Sequence, residues 1–199
     1  MNPIQKWKER RAVAKWEAEG RPAPPPHLIK QRNLLDYQER FGLKILVETG
    51  TFKGDMVAAM KDAFDKVYSV ELAETFYRGA VERFRSDSKV KILQGDSGKV
   101  FGDLVPELSE PTLFWLDGHY SAGETARGDK DTPVMEELGH IFARDGLKCV
   151  ILIDDARCFE GESEQVYPSM DELTAFVASH RPDWEVEVDT DCIRITPPQ

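Results

Sequence analysis

The stretch LKILVETGTFKGD, residues 43–55, decides the fold class of this chain. Its first half is an apolar run typical of a buried strand, and its second half is a glycine-containing turn that leads into a helical pattern. Four further apolar runs follow, at 66–71, 89–94, 112–117 and 149–154, and amphipathic stretches separate them. This alternation predicts parallel βαβ units with helices on both faces of one sheet.

Two short runs near the end of the chain differ from this repeat. Residues 184–188 and 192–196 alternate apolar with polar side chains, and only Asp189-Thr190-Asp191 separates them. So short a joint between two such runs predicts a β-hairpin. We therefore expect an α/β fold with a doubly wound, mainly parallel sheet and a C-terminal antiparallel hairpin.

The segment ahead of the first strand has a different character. Helical patterns at 4–19 and 28–41 flank a proline-rich connector, RPAPPPHLIK, whose prolines break the helix. Residues 1–40 carry nine basic and five acidic side chains. We predict that residues 1–42 form an N-terminal helical extension and residues 43–199 the main domain. The extension is also the predicted surface for a homodimer.

The composition excludes several classes of function. The chain has 199 residues and a formal net charge of −10, which makes it a poor binder of nucleic-acid phosphates. It has no run of 18 apolar residues, so we expect no membrane span, and its charged start lacks the apolar centre of a signal peptide. Three cysteines without a metal-binding spacing are typical of reduced thiols. We therefore expect a cytoplasmic protein without a nucleic-acid partner.

Three glycine-rich templates compete for the turn after the first strand. The dinucleotide pattern GxGxxG finds one of its three glycines, Gly50, and the phosphate loop GxxxxGK[ST] fails at Asp55. The third template is the acid-x-Gly-x-Gly-x-Gly pattern of S-adenosylmethionine (SAM) methyltransferases. It matches at Glu48, Gly50 and Gly54, and Phe52 replaces its middle glycine. The SAM template is the best match.

The ends of the next two strands strengthen the SAM interpretation. The second strand ends at Glu71, 21 positions after Gly50, and an acid about 20 positions on is expected to hold a ribose diol. The third strand is followed by Asp96 and Ser97, where a carboxylate can accept a hydrogen bond from an adenine amino group. Asp96 also fits a simple helix cap. Acids are tolerated at the rim of a SAM site because the ligand carries a positive sulfonium.

The segments VETGTFKGD, YSVE, QGDS, FWLDGHYS, DTPVMEEL and ILIDDAR together resemble the small class I SAM-dependent methyltransferases, over roughly residues 25–198. They are most similar to a branch in which few substrates are assigned. The resemblance implies a Rossmann-like sheet of seven strands with the last strand antiparallel. It also implies a set of cofactor-binding residues: Glu48, Gly50, Thr51, Phe52, Gly54, Glu71, Asp96, Ser97 and Asp117.

Three carboxylates follow the fourth and fifth strands. Asp117 ends one of these strands, and Asp154 and Asp155 end the other. The two strands are neighbours in this fold, so we expect the three carboxylates in one small volume, where they repel one another unless a cation lies between them. Hard oxygen ligands favour Mg²⁺ or Ca²⁺. The arrangement is similar to metal-dependent O-methyltransferases, and by that analogy these residues are metal ligands.

The polar segment after the fourth strand supplies further candidates. Its length and composition, with three glycines in residues 118–133, predict a loop over the strand end. His119 is the predicted general base, beside Asp117, for a hydroxyl whose pKa a bound metal would lower. Tyr120, Ser121 and Arg127 are the predicted substrate contacts.

These observations predict a SAM-dependent methyltransferase that acts on an oxygen of a small or sugar-like acceptor, with metal assistance. Two alternatives remain open at this stage. The acidic cluster also fits a metal-dependent hydrolase or hydroxylase-like enzyme on the same fold. A binding protein that holds SAM without catalysis is the other alternative.

Overall fold

A computed structural model of the chain describes residues 3–118, 132–160 and 167–198. The strands within these ranges are β1 (Ile45–Thr49), β2 (Lys66–Glu71), β3 (Val90–Gln94), β4 (Thr112–Leu116), β5 (Cys149–Asp154), β6 (Glu185–Asp189) and β7 (Cys192–Thr196). The α-helices are α1 (Pro3–Ala18), α2 (His27–Phe41), α3 (Asp55–Met60), α4 (Glu74–Phe84), α5 (Ser97–Leu104), α6 (Val134–Ala143) and α7 (Met170–His180).

The strands form one seven-stranded sheet in the order β3-β2-β1-β4-β5-β7-β6. β7 runs antiparallel to both of its neighbours, and the pairs among β1 to β5 are parallel. The predicted α/β fold and its C-terminal hairpin are therefore confirmed. The winding reverses between β1 and β4, and in open sheets of this kind ligands bind beyond the carboxyl ends of the strands at that point.

Helices cover both faces of the sheet. One face carries α2, α3 and α4, which contribute Leu34, Val57 and Phe84 to an apolar cluster. The other face carries α5, α6 and α7, and Phe101 and Leu138 lie in its core. The central strands β1, β4 and β5 are buried along their whole length, which explains their continuous apolar runs. The edge strand β6 is largely exposed.

The register of the sheet aligns the strand ends that matter for function. Thr49 of β1 lies beside Leu116 of β4, and Leu116 lies beside Ile153 of β5. The residues that follow, Asp117 and Asp154, therefore emerge at the same edge. On the other side of β4 lie, in order, the ends of β1, β2 and β3.

The N-terminal helices differ in how they meet the sheet. Helix α2 packs Leu34 and Tyr37 into the core and ends at Gly42, which adopts a left-handed φ of 62°. In α1, Trp16 is buried and its indole N–H donates to the Pro22 carbonyl over 2.7 Å, whereas Trp7 is 59% exposed. The division of the chain after residue 42 remains a prediction.

Two helix ends show how local chemistry sets the boundaries. The apolar pattern after β3 predicts a helix over 97–108, but the α-helix ends at Leu104 and continues as a 3₁₀ turn, because Pro106 has no N–H to donate to the preceding turn. Helix α7 begins after Ser169, whose hydroxyl caps the helix by accepting from the Glu172 N–H. In the part of the chain that the structure describes, no helix combines the length and apolar character that crossing a bilayer requires.

Candidate active site

The turn after β1 passes so close to β4 that it requires glycine. Gly50 has a φ of 81°, and a Cβ on it would lie 2.4 Å from the carbonyl oxygen of Asp117. Gly54 has a φ of 75°, and a Cβ there would lie 2.7 Å from the ring of Phe84. Both glycines of the SAM template are thus required by the backbone conformation and by a close neighbour.

Phe52, which replaces the middle glycine of the template, keeps a backbone conformation that favours glycine. Its φ is 48°, in the left-handed region. Its side chain is partly exposed and packs on Phe76, with 4.6 Å between the ring centroids. Phe52 thus differs from the template glycine in its side chain but keeps the tight backbone turn.

The carboxylate of Glu71 lies against this turn. It accepts a hydrogen bond of 2.7 Å from the Phe52 N–H and one of 2.8 Å from the Ala73 N–H, one on each oxygen. Glu71 is 7% exposed. A carboxylate has about four lone-pair sites, so both oxygens can still accept from a ligand hydroxyl. The structure therefore brings Gly50 and Glu71 into one cradle at the ends of β1 and β2.

Asp96 and Ser97 lie at the third strand end of this cradle. One oxygen of Asp96 accepts from the Gly98 N–H over 3.0 Å and caps α5, and the other is 3.9 Å from the Lys99 ammonium. Asp96 thus has the simpler role of a helix cap. Its carboxylate still lies at the end of β3, where we predicted that it would accept a hydrogen bond from an adenine amino group. Ser97 is buried beside it.

Glu48 is buried beneath the cradle. Its carboxyl accepts from the Ser69 hydroxyl, which is 2.6 Å from the hydroxyl of Thr51. Burial raises the pKa of Glu48 to about 8, although the Ser69 hydrogen bond acts in the opposite direction. Near neutral pH this residue is therefore mostly a neutral acid that supports the turn from below.

The ends of β4 and β5 bring three carboxylates together. Oxygens of Asp117, Asp154 and Asp155 all lie within 4.8 Å of one another, as the sequence predicted. Burial raises the pKa of Asp154, and the neighbouring Asp155 raises it further, while Lys30 opposes both. Asp155 adopts a left-handed φ of 56°, which turns the chain sharply at the strand end.

Lys30 of α2 is the residue of this cluster that the sequence analysis missed. Its ammonium forms an ion pair with Asp154 and lies 3.9 Å from Asp155. The side chain is only 17% exposed. Burial alone would lower the pKa of Lys30, but the charges of Asp154 and Asp117 outweigh that effect and raise it. The lysine is therefore a charged counter-ion within the acidic cluster.

A second cation lies at the rim of the cluster. The Arg157 guanidinium donates a hydrogen bond of 2.9 Å to Asp155 and also pairs with Asp191. Its side chain is 40% exposed, more than that of Lys30. The sequence segment ILIDDAR placed this arginine near the site but gave no sign of its partner on the β6–β7 turn.

Glu137 of α6 is another buried acid that the sequence analysis missed. It lies near Thr49 and Ser97, and burial raises its pKa to about 7. One of its oxygens and the Thr49 hydroxyl have no hydrogen-bond partner among the described residues. Glu137 also lines a small cavity with Gly118, Asp154 and Tyr167. An acid in an amphipathic helix usually faces solvent, so no sequence signal marked it.

Four predicted site residues lie outside the described part of the chain. They are the predicted base and the three predicted substrate contacts, namely His119, Tyr120, Ser121 and Arg127. Their roles remain predictions. Gly118, which precedes them, lies against the Thr49 side chain at the mouth of the site.

No known family model and no curated protein sequence matches this chain. Solved structures do match. The SAH-bound methyltransferase PaMTH1 of Podospora anserina has 15% identity over 98% of this chain and 94% of its own, with a TM-score of 0.62. The SAM complex of the O-methyltransferase TomG of Streptomyces achromogenes, involved in tomaymycin synthesis, has 14% identity over 95% and 89%, with a TM-score of 0.60.

An O-methyltransferase from Bacillus cereus, in complex with SAH, gives a similar result. It has 16% identity over 94% of this chain and 89% of its own, with a TM-score of 0.59. At such low identity these likenesses show a shared fold. The chain thus has the class I, Rossmann-like methyltransferase fold over nearly its whole length, with the glycine turn and the acidic strand ends at the edge where this fold binds its ligands.

Proposed function

We propose that the protein is a SAM-dependent methyltransferase that methylates an oxygen of a small or sugar-like acceptor. The hydrogen bond from the Phe52 N–H to Glu71 is the observation that carries this proposal. This hydrogen bond joins the glycine turn after β1 to the acid at the end of β2 in one cradle. The Glu71 carboxylate can accept from two neutral hydroxyls, whereas it would repel a phosphate.

Each part of the cradle has a defined task in cofactor binding. Glu71 accepts from the two ribose hydroxyls, and its orientation is fixed in advance by the backbone N–H groups of Phe52 and Ala73. Gly50 lets a ligand approach the backbone without meeting a side chain. Asp96 accepts from the adenine amino group with the oxygen that does not cap α5.

The electrostatics of the site favour a cationic cofactor and a small acceptor. Glu71, Asp96 and Asp117 lie at the rim of the site, and acids stabilise a positive sulfonium where they would repel a pyrophosphate. The net charge of −10 disfavours a nucleic-acid acceptor. Carboxylates such as Asp117 and Asp154 accept hydrogen bonds from hydroxyls, which suits a sugar-like molecule.

The chemistry requires little of the protein beyond positioning and a proton acceptor. When bound, SAM supplies an activated methyl group: the acceptor oxygen bonds to the methyl carbon while the carbon–sulfur bond breaks, and S-adenosylhomocysteine (SAH) leaves with that electron pair. Asp117, between the cradle and the acidic cluster, orients the acceptor hydroxyl. We assign the removal of its proton to His119, which follows Gly118 directly.

The acidic cluster also has the donor set of a site for a hard cation. Asp117, Asp154 and Asp155 offer carboxylate oxygens within 4.8 Å of one another, and Mg²⁺ and Ca²⁺ prefer such ligands. These three residues would hold the ion, and it would lower the pKa of an acceptor hydroxyl. Metal assistance is thus part of the proposal.

Calorimetry with SAH tests the cofactor site without knowledge of the acceptor. We expect the wild type to bind SAH and Glu71→Gln to bind at least tenfold more weakly, because an amide replaces one of the two accepting oxygens with a donor. The matched control is Glu74→Gln, an acid three positions on that lies exposed in the first turn of α4. Failure of the wild type to bind, or equal affinities for the wild type and both variants, would contradict the proposal.

A further inference from the structure

We infer that Lys30 and a divalent cation are alternative occupants of the same carboxylate cluster. Asp117, Asp154 and Asp155 form the cluster, and the ammonium of Lys30 pairs with two of them. The lysine comes from α2, whereas the carboxylates follow β4 and β5. The chain therefore carries an internal cation that occupies the position a metal ion would take.

The contacts of Lys30 show why the two occupants exclude each other. Its ammonium contacts an oxygen of Asp154 directly, and the Asp154 side chain is only 1% exposed. A bound ion would need the same oxygen, because Mg²⁺ and Ca²⁺ bind carboxylates by direct contact at about 2.0–2.6 Å. An ion there would also lie within a few ångströms of a positive ammonium, which repels it.

The second cation of the cluster does not exclude an ion in the same way. Arg157 divides its guanidinium between Asp155 and Asp191, and its ion pairs among the described residues do not include Asp154. Among the ion pairs of the described residues, those of Asp154 involve Lys30 alone. Removal of the Lys30 charge therefore frees the most buried carboxylate of the three for a new cation.

The surroundings of Lys30 allow an exchange without a change of fold. A cleft of about 130 Å³ is lined by both Lys30 and Asp154, so the ion pair borders open space. Leu34 and Tyr37 hold α2 on the sheet independently of the lysine. The long, flexible side chain can thus leave the cluster while the helix keeps its place.

Mn²⁺ binding, followed by electron paramagnetic resonance of the free ion, tests this inference on the full chain. We expect Lys30→Gln, which keeps a hydrogen-bond donor but no charge, to bind one Mn²⁺ at least tenfold more tightly than the wild type. Lys30→Arg keeps the charge and should show no gain. Lys61→Gln is the matched control, since Lys61 pairs with Asp87 outside the cluster.

The double variant Lys30→Gln/Asp154→Asn locates the effect, because it should lose the gained affinity. If Lys30→Gln does not fold, Lys30→Met provides the same comparison with an apolar stem of similar length. Equal Mn²⁺ affinity in the wild type and the uncharged variant would overturn the inference, and so would a gain that persists without Asp154. The measurement needs neither SAM nor an acceptor, so its outcome is independent of the proposed methyl transfer.

Discussion

The two halves of the site are built in different ways. The cofactor cradle comes from neighbouring parts of the chain, and backbone groups such as the Phe52 N–H fix its acid, Glu71. The acidic cluster joins elements that are far apart, for Lys30 and Asp154 are separated by 124 positions. Backbone geometry thus determines the shape of the cofactor cradle, whereas ion pairs stabilise the acidic cluster. The two halves should therefore respond to different kinds of substitution.

The largest effect should come from a single methyl group in the cradle. Gly50→Ala combines a left-handed φ with a Cβ 2.4 Å from a backbone oxygen, so the turn must move. We expect a loss of about 4 kcal/mol in the free energy of unfolding and no measurable SAH binding. Urea denaturation and calorimetry measure the two effects.

Gly42→Ala is the control that separates the strain of a positive φ from the steric clash of an added Cβ. Gly42 also has a positive φ, of 62°, but a Cβ there would meet nothing within 4 Å. This control should lose about 1 kcal/mol and keep its SAH affinity. If both variants lost the same stability and the same affinity, the close approach of the two turns would not shape the cradle.

The acidic cluster should respond to loss of charge rather than to added volume. Lys30→Gln leaves Asp154 buried without its cation, and we expect a loss of about 3 kcal/mol in the free energy of unfolding. Urea denaturation at low ionic strength measures it, and Mn²⁺ should restore part of the loss. SAH affinity should change little, because Lys30 contacts the cluster and not the cradle. A large fall in SAH affinity at unchanged stability would contradict the separation of the two halves.

The pH-dependent effect, about 2.7 kcal/mol between pH 5.5 and 7.5, concerns the acid beneath the cradle. The pKa of Glu48 rises from 4.5 to about 8 on folding, so the folded protein holds a proton that the unfolded chain releases. The stabilisation from Glu48 is therefore complete below about pH 4.5 and is lost as the pH rises towards 8, by about 1.4 kcal/mol per pH unit. Glu48→Gln should flatten this decline, as measured by urea denaturation between pH 5.5 and 7.5. Parallel profiles for the wild type and the variant would contradict it.

Much of the fold could be predicted because its signals are local. The buried strand β5 is one apolar run, and the β6–β7 hairpin follows from two runs with a joint too short for anything else. The end of α5 was less predictable, because the apolar pattern continues past Leu104 into a 3₁₀ turn. There a single missing donor, the Pro106 N–H, overrides the periodicity.

The site was predictable only where each residue follows a strand. Glu71, Asp117 and Asp154 occupy strand ends, and parallel strands bring their ends to one edge regardless of the sequence between them. Lys30 and Glu137 lie on helices, where a charged side chain ordinarily faces water. Which helical charge turns inward depends on how α2 and α6 pack, and that packing is a tertiary property with no local signal.

The exposure of β6 has a consequence for how copies of the protein can meet. An outer strand with open N–H and C=O groups invites a neighbouring molecule to extend the sheet. Here that strand carries Glu185, Glu187 and Asp189 within five residues and lies at the border of an acidic molecule. Arg194 of β7 pairs with Glu187 and Asp189, and the negative charge that remains on the strand opposes the approach of a second such edge. The charges of the strand therefore oppose edge-to-edge pairing between copies of the protein.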